Sequence, residues 1–406
     1  MPLAQRPAPL AILVLCLIAF LGSVGTGLVV PVLPFVLAET AGNAAAGARA
    51  LGWLMAVYGA CAFLAAPALG RLSDVVGRRP VLLVSTAGSA AGDLILACAR
   101  TIRAACLGRA VDGVTAGNMG AVNAYVTDAV PEEDRAKAFG RIGALFGIGL
   151  ITGPAIGAAL AALWGARAPL LGAAALAGAT TVIGWMALPE TAAGRTRRLQ
   201  LRAGDLNPLV GLRASLVNPP VRRLLWAAVL ATAAAVTVQL LVLLVAKDCL
   251  GWSAVRVSAM VVAVGVTDIV VQGLLVGPLH DLTGDRGVAT LGLGLIALSA
   301  AVLGATAVWP VPALAVAGTL AIAAGEGLFS ASFAACLSRA AEHGGAGALL
   351  GAQQGLQEVT AVVTPVLGTQ LYARTGGAVP LGMSAVLAVG ALVLLAPRAG
   401  ARSTRA

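Results

Sequence analysis

Six ionisable residues lie inside long apolar runs of this chain: Asp93, Arg109, Asp112, Asp268, Glu326 and Glu358. A charged side chain at the centre of a membrane helix costs roughly 2.5–3.5 kcal/mol on insertion scales, so such residues usually face a cavity or a partner. A carboxyl group in apolar surroundings takes up a proton more readily than one in water. Proton exchange is therefore the chemistry these residue types suggest. Arg109 and Asp112 are three apart and share a helix face. At about 1.5 Å per residue, Asp93 lies roughly 18 Å from the inner end of its span. Arg109 and Asp112 lie roughly 8–12 Å from the outer end of theirs. In an apolar core about 30 Å thick, the three stand at similar height. Two readings follow: one acid exchanges a proton while the other holds Arg109, or Arg109 and Asp112 form a permanent, self-neutralising pair. Later in the chain, Asp268 and Gln272 are four apart, as are Gln354 and Glu358, and Glu326 sits between Gly325 and Gly327. These three acids have no obvious basic partner, which suggests a cationic or zwitterionic substrate. For each, a hydrogen-bonded helix-packing role is the alternative.

The elements that must position these residues are membrane helices. The chain is 59% hydrophobic and 11% charged over 406 residues, too little charge to cover a soluble protein of this size. Apolar runs of about 20 residues select helices over a barrel of short alternating strands, and 51 glycines suit close helix packing in lipid. Twelve spans are expected, near 10–36, 51–70, 81–99, 104–127, 138–163, 168–187, 222–246, 254–279, 287–307, 312–337, 346–372 and 378–396. With the N-terminus inside, the outer loops hold only Arg49, Arg100, Arg103, Arg167, Lys247, Arg256 and Arg374. Most of the 27 Lys and Arg residues then face the cytoplasm, with both termini. The net charge of +10 is thus topological and does not point to nucleic acid. A polar, arginine-rich stretch divides the chain into residues 1–190, a cytoplasmic linker at 191–221, and residues 222–406. An internal repeat supports the division. GRLSDVVGRR at Gly70 is echoed by GPLHDLTGDR at Gly277, and TGPAIG at Thr152 by VTPVLG at Val363. Duplicated six-helix halves of this kind usually bind substrate near the midplane between them.

Other chemistries have little support. The cysteines Cys16, Cys61, Cys98, Cys106, Cys249 and Cys336 are scattered and form no CxxC pair, and His280 and His343 are expected in loops. No metal site, cofactor or disulfide framework is expected, although Cys98 and Cys106 could approach across an outer loop. There is no GxxxxGK[ST] loop, so transport must use an ion gradient or run downhill. The first apolar run is too long for a signal-peptide core, and no Asn-x-Ser/Thr acceptor occurs.

The stretch Gly70–Pro80, GRLSDVVGRRP, concentrates one acid and three arginines between two apolar spans. Gly70 would let helix ends approach, Asp74 and Arg78 can pair four residues apart, and Gly77 permits a left-handed turn. Arg78 and Arg79 would anchor that turn on the cytoplasmic side. The stretch resembles the loop between the second and third helices of the major facilitator superfamily. Three further segments carry the resemblance across nearly the whole chain. They are GTGLVVPVLP (Gly25–Pro34), RAVDGVTAG (Arg109–Gly117) and GIGLITGPAIG (Gly147–Gly157), the last similar to the family's antiporter motif. The resemblance is nearest to tetracycline and multidrug proton antiporters.

That resemblance implies an all-α integral membrane fold of two pseudosymmetric six-helix bundles in the cell membrane, and a monomer is expected because the two halves form one complete unit. It implies export of a small molecule in exchange for protons by alternating access. Gly70, Asp74, Gly77, Arg78 and Arg79 would form a conformational latch. Gly149, Gly153, Pro154 and Gly157 would bend and closely pack the fifth helix. Tetracycline exporters carry an acid where Asp93 stands, and a histidine four residues before a glutamine where this chain has Asp268 and Gln272. They also carry an acid where this chain has Gly22, which argues against tetracycline itself as substrate. Rival readings are an importer or uniporter of a polar metabolite on the same fold, a polytopic membrane enzyme such as an acyltransferase, and a non-transporting receptor or scaffold. The antiporter-like motif opposes the first, and neither histidine has a motif that supports the second. A non-transporting protein would tolerate loss of the buried acids, which this chain retains.

Overall fold

A computed structural model describes residues 9–116, 118–130, 132–190, 219–340 and 346–396. It is almost wholly helical, with no strand among the described residues. The first unit contains α1 (Pro9–Val29), α2 (Leu33–Ala41), α3 (Ala44–Val76), α4 (Arg78–Cys98), α5 (Ile102–Val114), α6 (Asn118–Ala129), α7 (Glu132–Trp164) and α8 (Ala168–Ala187). Then follow α9 (Pro219–Asp248), α10 (Ala254–Val270), α11 (Val276–Val308), α12 (Pro312–Ala340), α13 (Ala346–Thr375) and α14 (Ala378–Leu395).

Local chemistry sets several of these ends. Asn43 caps α3 by accepting from the Ala46 amide at 2.7 Å, and Thr101 caps α5 by accepting from Ala104 at 3.2 Å. Gly42 ends α2 in the left-handed region at φ 77°.

Nine stretches among the described residues are long and apolar enough to cross a membrane. One of them, Ala254–Val308, has 55 residues. At about 1.5 Å per residue that is more than twice the thickness of a bilayer core, so it supplies two spans. The α5–α6 pair and α13 supply the other two. The protein is thus an all-α integral membrane protein with twelve transmembrane helices.

Several spans are less regular than expected. The first is not one helix: Pro31 and Pro34 fall at a 3₁₀ turn, Val30–Val32, between α1 and α2. The fourth is interrupted between Val114 and Asn118, where Thr115 turns its hydroxyl back to the Val111 and Asp112 carbonyls. The eighth carries a π-helical segment, Val271–Leu275. The eighth and ninth run together through α11, broken only at Gly284 with φ 68°. His280 is consequently helical rather than in a loop. His343 and the core of the linker read at 191–221, residues 191–218, lie outside the described residues. The six cysteines are free.

Two compact units emerge: Met1–Asn207 with Trp252–Gly265, and Pro208–Gly251 with Val266–Ala406. In the first, α1 packs on α7 and α8, and α4 on α5 and α8. In the second, α9 packs on α13 and α14, and α11 on α12 and α14. Equivalent spans therefore make equivalent contacts in each unit, as a duplicated sequence requires.

Candidate functional site

Arg109 is held between two carboxylates. Its two terminal nitrogens donate to Asp112 Oδ2 and Asp93 Oδ1, each at 3.0 Å, and all three residues are buried. Ser89 donates to the other Asp112 oxygen at 2.7 Å, and the Tyr58 ring lies 5.6 Å from the guanidinium carbon. Glycines bring the two helices together. A Cβ on Gly92 of α4 would stand 2.7 Å from the Gly108 carbonyl of α5, and one on Gly108 would stand 2.6 Å from the Gly92 carbonyl. Without that approach Asp93 could not reach Arg109. The guanidinium Nε is buried without a hydrogen-bond partner.

The three charges line a cavity of about 430 Å³ inside the first unit. Gly22, Ser23 and Thr26 of α1, Tyr58 of α3, Ser89 of α4 and Thr180 of α8 are also on its wall. Hydroxyls and the rings of Tyr58 and Phe146 thus share the cavity with a trio whose formal charges sum to one negative. A proton on either acid removes that excess without separating the remaining pair.

The second unit has a different polar cluster. Gln239 of α9 donates to Glu326 of α12, and Gln272 donates to Asp268 at 2.8 Å. A Cβ on Gly327 would lie 2.9 Å from Asp268 Oδ1, so this glycine admits the Asp268 carboxylate beside Glu326. Gln272 stands in the π-helical segment, a local widening often found at functional sites. Gln354 donates to Glu358 at 3.4 Å, and both side chains are exposed. Asp268, Glu326 and Glu358, expected to lack a basic partner, each accept from a glutamine amide. The structure gathers Asp268, Gln272 and Glu326 together.

At the stretch Gly70–Pro80, helix α3 continues to Val76 and α4 begins at Arg78, so Gly77 alone makes the turn, at φ 118°. A Cβ there would meet the Glu190 carboxylate at 2.5 Å. That carboxylate accepts from the Arg78 amide at 3.0 Å and the Arg79 amide at 3.2 Å, capping the positive end of α4. The Arg78 side chain donates to Asp128 at 2.8 Å and to Ser73 at 2.9 Å, and Arg79 donates to the Trp185 carbonyl. Tyr125 donates to the Pro189 carbonyl at 2.8 Å, fixing the chain just before Glu190. The expected close approach at Gly70 is absent: no described atom lies within 4 Å of a Cβ built there. The Asp74 side chain lies outside the described residues. Glu190 and Asp128 escaped the sequence reading. An acid immediately beyond a span, as Glu190 is beyond α8, was the one available signal.

Helix α7 lies against α1 through its glycines. A Cβ on Gly149 would stand 1.9 Å from Ser23 Oγ and 2.6 Å from the Phe20 carbonyl, and one on Gly153 would stand 2.5 Å from the Val24 carbonyl. Gly27 faces them, with the Pro154 ring 2.7 Å from its own built Cβ. At Gly157 the nearest atoms are at an ordinary 3.5 Å. Pro154 lies inside the unbroken helix α7.

The family profile described as Major Facilitator Superfamily matches residues 15–357. The tetracycline resistance protein of class C from Escherichia coli is 31% identical over 360 residues, covering 87% of this chain and 88% of that protein. The class G protein from Vibrio anguillarum is 34% identical over 377 residues, covering 89% and 90%. Among solved structures, the human organic anion transporter MFSD10 (TETRAN) superposes with a TM-score of 0.66 at 22% identity. It covers 97% of this chain and all of that one.

Proposed function

Because the chain belongs to the major facilitator superfamily of membrane transporters, we propose that it exports a small amphipathic compound, cationic or zwitterionic, in exchange for protons by alternating access. The observation that carries this reading is Arg109, held between Asp93 and Asp112 on the wall of a cavity. The trio holds one more acid than it has base, so it is a natural place for a coupling proton. Asp268, Gln272, Glu326 and Glu358 supply the second unit's carboxylates and amides to the same task. The kinship with tetracycline resistance proteins supports export of a drug-like molecule. The absence of an acid at Gly22, on the wall of this cavity, points to a substrate other than tetracycline.

In this reading residues 1–190 and 222–406 are the two bundles that rock about a substrate, joined by a linker at 191–221. Both termini are cytoplasmic in the cell membrane, and one chain is the working unit. Gly70, Asp74, Gly77, Arg78 and Arg79 latch the cytoplasmic face, with Glu190 as the brace of that latch. Gly149, Gly153, Pro154 and Gly157 keep α7 tight against α1, so that the first unit moves as a rigid body.

Whole-cell accumulation of a lipophilic cationic dye tests the proposal. Cells expressing the protein should hold less dye than control cells. Adding a protonophore, or replacing Asp93 by Asn, should abolish the difference. A difference that survives the protonophore would sink proton-coupled export.

A further inference from the structure

The two units share a three-residue constellation in which the charges are reversed. In the first unit, Arg78 opens α4 and binds Asp128 near the end of α6 and Ser73 near the end of α3. In the second, Asp285 follows the turn at Gly284 and binds Arg339 near the end of α12 and His280 just before the turn. Ser73 and His280 differ by 207 positions, as do Gly77 and Gly284, and Arg78 and Asp285. Asp128 and Arg339 differ by 211, the offset of the second sequence echo. Each position has the same place and the same partners in both units, with acid and base exchanged. One further change accompanies the exchange. The neutral hydroxyl of Ser73 becomes the imidazole of His280, with Nδ1 2.7 Å from Asp285 Oδ1.

We propose that His280, Asp285 and Arg339 form a pH-responsive clamp across the Gly284 turn, a device the first unit lacks. Gly284 is the only non-helical residue within α11, so the joint between the eighth and ninth spans pivots on it. Asp285 is buried and ties both sides of that joint to α12. An unperturbed imidazole changes charge between pH 5 and 8, where an unperturbed carboxylate or guanidinium does not. A protonated His280 adds a second positive charge against the Asp285 carboxylate and tightens the joint. A neutral ring leaves Arg339 to hold it alone. Among the described residues, the other charged or titratable groups beside the cluster are Asp281 and Arg286 of α11 and Cys336 of α12. Asp281 and Arg286 carry opposite formal charges, and a thiol adds none. The first unit has the hydroxyl of Ser73 where the second has an imidazole, so that joint is an internal control. Only the placement of the clamp in the cytoplasm rests on the export reading and its topology.

Hydrogen exchange of the full-length protein in detergent tests the clamp without requiring transport. Rates at pH 6 and pH 8.5, corrected for intrinsic exchange, would be compared for peptides covering 277–290 and 70–82. The 277–290 segment should lose protection by about two- to fivefold at the higher pH, the scale of a partly exposed ion pair, while 70–82 stays flat. His280→Gln should flatten the response. In the double variant Asp285→Arg with Arg339→Asp, His280 would face a guanidinium, and the response should reverse sign. An unchanged pH response in His280→Gln would overturn the proposal. So would a swapped variant that keeps the original sign, or equal responses in the two segments. Should the swapped variant not fold, the His280→Gln comparison decides alone. Loss of export with the clamp response intact would count against the export reading and not against the clamp.

Discussion

At the residue scale, charge balance within the Arg109 trio makes its members unequal. Removing the arginine strands two buried carboxylates, which costs about 3–5 kcal/mol when a buried pair is broken from one side. Neutralising Asp93 leaves a balanced Arg109–Asp112 pair and costs no more than about 1.5 kcal/mol, the worth of one hydrogen bond. Thermal unfolding in detergent should therefore show Arg109→Leu far below wild type and Asp93→Asn close to it. Equal destabilisation would mean that the trio is a structural knot rather than a proton site. The pairing of Arg109 with Asp112 was legible because three-residue spacing on a helix fixes neighbours. Asp93 was placed by height alone, and the Gly92–Gly108 contact supplied the approach that height could not. The partnerships of Glu190 with Arg78, Asp128 with Arg78 and Gln239 with Glu326 span 112, 50 and 87 positions. No local rule reaches that far, so they were invisible in the sequence.

At the element scale, the glycines of α7 differ in what they exclude. Gly149 and Gly153 face backbone atoms of α1 at 2.6 and 2.5 Å, whereas Gly157 has ordinary room. Overpacking costs typically about 1–3 kcal/mol. Gly149→Ala and Gly153→Ala should each lower thermal stability by about that amount, while Gly157→Ala should leave it near wild type. A uniform response across the three would contradict the packing described here. The motif GIGLITGPAIG announced a closely packed helix but not which of its glycines touch α1. Gly70 makes the same point in reverse: it looked like a contact glycine but meets no described atom within 4 Å, while Gly77 is required by its positive φ. Breaks in the helices follow the same logic. Prolines marked the one at Val30–Val32, but the π segment at Val271–Leu275 had no signal, since nothing in VQGLL distinguishes it from an ordinary helical turn.

At the scale of the whole molecule, the sequence was most informative. Apolar length, charge placement and two repeated segments gave twelve spans and a duplicated design, and equivalent helices pack alike in the two units. Duplication constrains backbone and packing, which depend on many residues together. It does not constrain individual charges, as the reversed pair Arg78–Asp128 and Asp285–Arg339 demonstrates. The acids within the spans follow suit: the first unit sets Asp93 and Asp112 around an arginine, and the second sets Asp268 and Glu326 beside glutamines.

The central claim, that outward substrate movement is exchanged for protons at the Arg109 trio, is tested most directly in proteoliposomes. A pH gradient would be imposed, and lumenal pH and flux followed together for a panel of cationic and zwitterionic compounds. The account predicts that a transported compound drives counter-movement of protons in wild type, and that Asp93→Asn still carries the compound down its own gradient while moving no protons. Proton movement that persists in Asp93→Asn, or wild-type flux indifferent to the pH gradient, would contradict it.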